Sequence, residues 1–101
     1  MEIVREIEVG RLLEDLRKAK IRFERKRDFK IFAESLDKLI KVYEQYFSGK
    51  KTVDLQEVIA LAHKTDARVE FLVRLYLTYY LIEKNIDLVV DVMRRGMRRK
   101  L

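Results

Sequence analysis

No proline interrupts these 101 residues, and only three glycines, at 10, 49 and 96, loosen them. A chain so poor in backbone breakers favours long helices over the turn-rich layout of an all-β domain. Apolar spacing agrees. Val9, Leu12, Leu13, Leu16, Ala19 and Phe23 fall on one stripe at 3.6-residue spacing, which predicts a first helix over roughly residues 3–26, weakened at Gly10. Asp28 is placed to cap a second helix. Along it Phe29, Phe32, Ala33, Leu36, Leu39, Ile40, Tyr43 and Phe47 form the cleanest amphipathic stripe in the chain. Ser48 and Gly49 end that helix, the glycine taking the left-handed conformation that follows a C-cap.

Thr52 reads as the cap of a short third helix with Leu55, Val58, Ile59 and Ala62 inward, broken at His63-Lys64. A fourth helix is expected from Thr65 or Asp66 to about Lys84, apolar nearly all round, with the tyrosines at 76, 79 and 80 in the core. Neighbours surround a helix that has no polar face, so this one should be the central element. Asn85 reads as its stop, and Asp87 as the cap of a last helix with Val89, Val90, Met93 and Met97 inside. The expected fold class is all-α, a compact bundle of four to five helices around a central apolar helix at about residues 66–84. It forms a single domain over residues 1–101, with a basic C-terminal end at 94–101 that is free to fray.

Composition removes several classes of function. Apolar residues make up 49% and charged residues 40%, too much hydrophobicity for a disordered chain. Without cysteine there are no disulfides or thiolate metal sites, and the lone His63 cannot build a nitrogen-ligated one. Serine occurs only at 35 and 48, and no glycine-rich phosphate loop exists. A non-enzymatic protein without cofactor is expected. One asparagine and two glutamines among many Lys, Arg and Glu match hyperthermophile usage. Charges begin at Glu2, and Leu75 to Ile82 is too short to span a bilayer, so a cytoplasmic protein with no membrane association is expected.

Charge is the feature that points to a partner. Thirteen of the 23 lysines and arginines lie in 17–30 and 94–101; the first stretch holds eight against Glu24 and Asp28, the second five and no acid. Arg11, Lys18, Arg22 and Arg25 project to the side of the first helix opposite its apolar stripe. Like charges at i, i+4 cost a helix ~0.2–0.5 kcal/mol per pair unless something anionic neutralises them. Dipole compensation accounts for one or two of the C-terminal bases, not all five. Arg17, Lys18, Arg22, Arg25, Lys26, Arg27 and Lys30 are therefore candidate phosphate contacts, with Arg94, Arg95, Arg98, Arg99 and Lys100 as a second patch. Phe23 and Phe29 lie inside the first patch but on apolar stripes, which makes them core residues before base-stacking ones.

Leu55 to Leu72, LQEVIALAHKTDARVEFL, resembles a helix-turn-helix in outline. By that resemblance the second helix would enter a major groove, led by Asp66, Ala67, Arg68, Glu70 and Arg74. The chain departs from the motif at His63, where glycine is usual, and at Ile59, where a small residue is. The expected function is nucleic-acid binding (DNA or RNA) mainly through phosphate contacts, with a helix-turn-helix-like regulator as its specific form. The alternative is a protein–protein interaction subunit, a homodimer or a small part of a larger assembly, with an ordinary thermophile-type charged surface. Its contacts would come from off-stripe apolar residues such as Ile31, Val42 and Val92.

Overall fold

The computed structural model describes the backbone of residues 4–100 and the side chains of residues 4–96. Its order is β1 (Glu6–Glu8), α1 (Val9–Glu24), a 3-10 turn (Arg27–Phe29), α2 (Lys30–Tyr46), β2 (Thr52–Asp54), α3 (Leu55–Thr65) and α4 (Ala67–Lys100). The fold is all-α, four helices with one short two-stranded sheet. Leu12 and Leu16 of α1, Leu36, Leu39, Ile40 and Tyr43 of α2, Val58 and Ala62 of α3, and Val69, Val73 and Leu77 of α4 form one continuous core. The α2 stripe read from the sequence is thus the middle of the molecule. Tyr43 donates a 2.6 Å hydrogen bond to the carbonyl of Val58, tying α2 to α3, and burial pushes its phenol up from the ordinary range.

The sheet was not expected. β1 and β2 run antiparallel with Glu6 opposite Asp54, Ile7 opposite Val53 and Glu8 opposite Thr52. Ile7 and Val53 face inward while Glu6, Glu8 and Thr52 stay exposed, the two-residue period of a one-sided ribbon. The ribbon also moves two boundaries. α1 starts at Val9 instead of near residue 3, and Asp54, not Thr52, caps α3 by accepting the Gln56 N–H at 2.7 Å. Gly49 has φ +80°, the expected left-handed turn, and brings the chain back from α2 to the ribbon. Asp28 lies within the 3-10 turn and supplies no side-chain cap to α2.

The α3–α4 junction differs more. α3 continues through His63 and Lys64 to Thr65, leaving Asp66 as the single extended joint (φ −165°, ψ 126°). The Asp66 carboxylate accepts the Arg68 N–H at 2.9 Å and the Ser35 hydroxyl at 2.8 Å, so one residue caps α4 and fastens it to α2. α4 then runs unbroken to Lys100, through the expected stop at Asn85 and the expected cap at Asp87. Asn85 bonds within the helix instead of ending it: its amide donates to the Leu81 carbonyl at 2.8 Å, and its oxygen accepts the Val4 N–H at 3.4 Å. Asparagine's weak helix propensity, a deficit of at most ~0.7 kcal/mol, is overridden by such contacts.

At 1.5 Å per residue the 34 residues of α4 span about 51 Å, which sets the long dimension of a molecule measuring 56 × 30 × 19 Å. The body covers one face of its first half, through Val69, Val73, Leu77 and Tyr80. The opposite face and, from Ile86 to Gly96, every side chain but the half-buried Leu88 stand in solvent. Tyr79, expected in the core, is 72% exposed, and Val89, Val90 and Met93, expected inside a last helix, are exposed too; Met97 lies outside the described side chains. The reason is geometric: four helices in a chain this short cannot surround a rod that outruns the others by twofold or more.

Candidate nucleic-acid interface

The structure divides the bases of α1 and of the corner that follows it into two sets. Those along the shaft of α1 are matched. Arg11 lies 3.1 Å from Glu83 and 3.5 Å from Asp15, Arg17 lies 3.1 Å from Glu44, Lys18 3.1 Å from Glu14, and Lys20 2.8 Å from Asp37. The hydrogen bond to Asp37 raises the Lys20 ammonium above its usual range, while hydrogen bonds from Lys20 and Lys41 hold the Asp37 carboxyl below its own. Arg17 and Lys18, both candidate phosphate contacts, are therefore already engaged by acids.

Arg22, Arg25, Lys26, Arg27 and Lys30 are exposed, and none of them pairs with an acid among the described residues. They gather at the corner where α1 ends and α2 begins. Arg22 and Arg25 occupy the C-terminal end of α1, where the helix dipole favours cations. Lys30 opens α2, where the same dipole disfavours it, while Lys26, whose N–H meets the Phe23 carbonyl at 3.1 Å, and Arg27 lie in the connection between the helices. α2 has no acid in its first turn and no side-chain cap. Phe23, Phe29 and Phe32 pack against one another with ring centroids 5.8–5.9 Å apart and hold the corner in shape. Phe29, expected in the core, is 39% exposed, with the Lys26 ammonium 5.9 Å from its ring centre.

The second patch lies elsewhere. Asp66 anchors the start of α4 beside Ser35, near the corner, while Arg11 meets Glu83 at the far end of α1. The last turns of α4 therefore point away from the corner. Arg94 and Arg95 sit about 40 Å further along the helix than Ala67. Both are exposed, and Arg95 pairs with Asp91 at 3.1 Å. Arg98, Arg99 and Lys100 lie outside the described side chains. Arg94 and Arg95 therefore share no face with the corner.

The residues of the helix-turn-helix outline are committed to local bonds. A helix-turn-helix joins its helices by three or four residues; here Asp66 alone does so. Glu70 takes His63 Nδ1 at 3.0 Å and Arg74 at 3.0 Å, and Arg68 lies 3.4 Å from Asp66. The Arg68 N–H and the Ser35 hydroxyl hold the Asp66 carboxyl below its usual range, and His63 and Arg74 do the same for Glu70. A carboxyl lowered on folding contributes stability above its unfolded value, near about 4, and loses it as pH falls through the lower folded value. The thermal midpoint should therefore hold from neutrality to about pH 5 and drop below about pH 4. Asp66→Asn should lower it at pH 7 and approach the unmodified protein in acid, read by circular dichroism melts; equal losses at both ends would refute this role.

Among the described residues no group of three His, Cys, Asp or Glu could hold a metal ion, and no helix is long and apolar enough to cross a membrane. Compared with known proteins, the chain matches no family model, no curated protein and no solved structure.

Proposed function

We propose that this protein is a non-enzymatic nucleic-acid-binding protein that grips phosphates with the α1–α2 corner. One observation carries the reading: five exposed bases crowd one corner, and none of them pairs with an acid among the described residues. The α1 dipole favours Arg22 and Arg25 but gives no reason for the bases that follow them, whereas a phosphate backbone would neutralise the whole cluster and release counterions. Binding of this kind positions a protein without reading bases, so little sequence preference is expected.

Fluorescence anisotropy on duplex DNA, single strands and RNA across a salt series tests it. With five contacts, log affinity for duplex should fall against log salt with a slope of about −4 to −5, from about −0.9 per phosphate. Arg25→Glu with Arg27→Glu should weaken binding at least about tenfold and flatten the slope by about two. Arg17→Glu with Lys18→Glu, which touches bases already matched by acids, should do much less. Affinity that is absent at low salt, or indifferent to salt, would overturn the proposal.

A further inference from the structure

α4 carries a second apolar face that nothing in the described chain covers. Leu75, Tyr79, Ile82, Ile86, Val89 and Met93 are 44%, 72%, 51%, 55%, 46% and 60% exposed. Their spacing alternates four and three residues, the repeat of a coiled-coil seam. At 100° per residue the seam lies about 200° around the helix from Val69, Val73, Leu77 and Tyr80. It runs without interruption from the part of α4 that packs on the body into the part that projects beyond it.

We propose that a second copy of this chain covers the seam, in an antiparallel pair of α4 helices with its twofold axis near Lys84. The seam is self-complementary about that point. Leu75 then meets the partner subunit's Met93, Tyr79 meets the partner subunit's Val89, and Ile82 meets the partner subunit's Ile86, so every seam position is used. Each projecting half lies along the outer face of the other copy's body-bound half, the two surfaces that a single copy leaves bare.

Charge decides the direction. Residues 94–100 hold five bases and no acid. A parallel pair would set two such ends side by side at an interaxial distance of ~8–10 Å. The antiparallel pair separates them by about 40 Å, several times the ~8 Å screening length at physiological salt. The flanks of the seam decide the kind of partner. Thr78, Asn85, Val90 and Val92 are uncharged, and Glu83 is held by Arg11 at 3.1 Å. Nothing there asks for an oppositely charged foreign helix.

The area is sufficient. A stable pair buries ~800 Å² per partner, about a tenth of this chain's 7811 Å² surface. Nine of the thirteen exposed large apolar side chains of the described residues lie on α4 between Phe71 and Met93. They need supply only about 90 Å² each, roughly half of a large side chain's area.

Light scattering and sedimentation on the full chain, from low to high micromolar, should give twice the 12.2 kDa chain mass. Ile86→Glu with Val89→Glu should give a monomer whose helical circular dichroism per residue is retained, because both positions are exposed in the single copy. The cysteine-free sequence allows a test of direction. Leu75→Cys with Met93→Cys should cross-link two copies on oxidation, while Met93→Cys alone, whose two sulfurs would lie about 27 Å apart, should not. A monomer at every concentration, a dimer indifferent to the two glutamates, or a cross-link through Met93→Cys alone would each overturn the proposal. None of these outcomes depends on nucleic-acid binding, which is measured separately at the corner.

Discussion

Leu39→Ala is expected to lower the stability of the fold by ~2–5 kcal/mol and its thermal midpoint by at least about 8 °C. Leu39 is fully buried in the middle of α2, the helix that touches α1, α3 and α4. Truncation there loses the transfer free energy of the removed methyl groups and leaves a void that three helices would have to close together. Helices held at both ends cannot close it. α2 is fixed at one end by the aromatic corner and is tied to α3 by the Tyr43–Val58 hydrogen bond. In urea the midpoint should fall at constant slope, since the surface exposed on unfolding hardly changes. Ile31→Ala, on the same helix but 47% exposed, should stay within about 0.5 kcal/mol. A loss below about 1 kcal/mol at Leu39 would mean that α2 is not the centre of the core.

What the amino-acid order reveals about this fold follows the range of the interactions involved. The α2 stripe and the turn at Gly49 are legible because their causes are local, a 3.6-residue repeat and a residue that accepts φ +80°. The ribbon is not, because three-residue strands are too short to show a period and two helices separate Ile7 from Val53 in the sequence. Asn85 reads as a stop by propensity, yet its amide is satisfied inside the helix and by Val4, a contact 81 residues away. The same holds at the candidate interface. Excess base in residues 17–30 is visible in the chain, but which bases stay unmatched is not. Arg17 and Lys20 find their acids 27 and 17 residues on, and Arg11 finds Glu83 at 72. The apolar wrap of residues 66–84 does announce neighbours on every side. Within the described residues one chain supplies them on one side only, and the face from Leu75 to Met93 stays exposed.

That two-sided helix gives the largest expected contrast between neighbouring substitutions. Val73→Asp should cost the fold about 3–5 kcal/mol at neutral pH, whereas Tyr79→Asp, less than two turns away, should leave the single copy within about 0.5 kcal/mol of its original stability. Val73 is 1% exposed on the face that meets the body, and no basic side chain stands among the buried core residues to pair with a carboxylate there. An uncompensated buried charge costs about 3–5 kcal/mol, a large share of the 5–15 kcal/mol that holds a domain together. Tyr79 is 72% exposed on the opposite side, so a carboxylate there remains hydrated. The pH response separates the two further. Burial raises the folded value of an unpaired carboxyl, so part of the Val73→Asp loss should be recovered as pH falls from 7 toward about 4, where the buried group takes up a proton. That is opposite in sign to the losses expected from protonating Asp37, Asp66 and Glu70, which are lowered on folding and begin to fail below that window. Circular dichroism melts of the two variants at pH 7 and at about pH 4.5 read both effects. A Val73→Asp that melts with the unmodified protein would mean that α4 meets the body through the other face, whereas an early-melting Tyr79→Asp would report loss of the seam contact with the second copy.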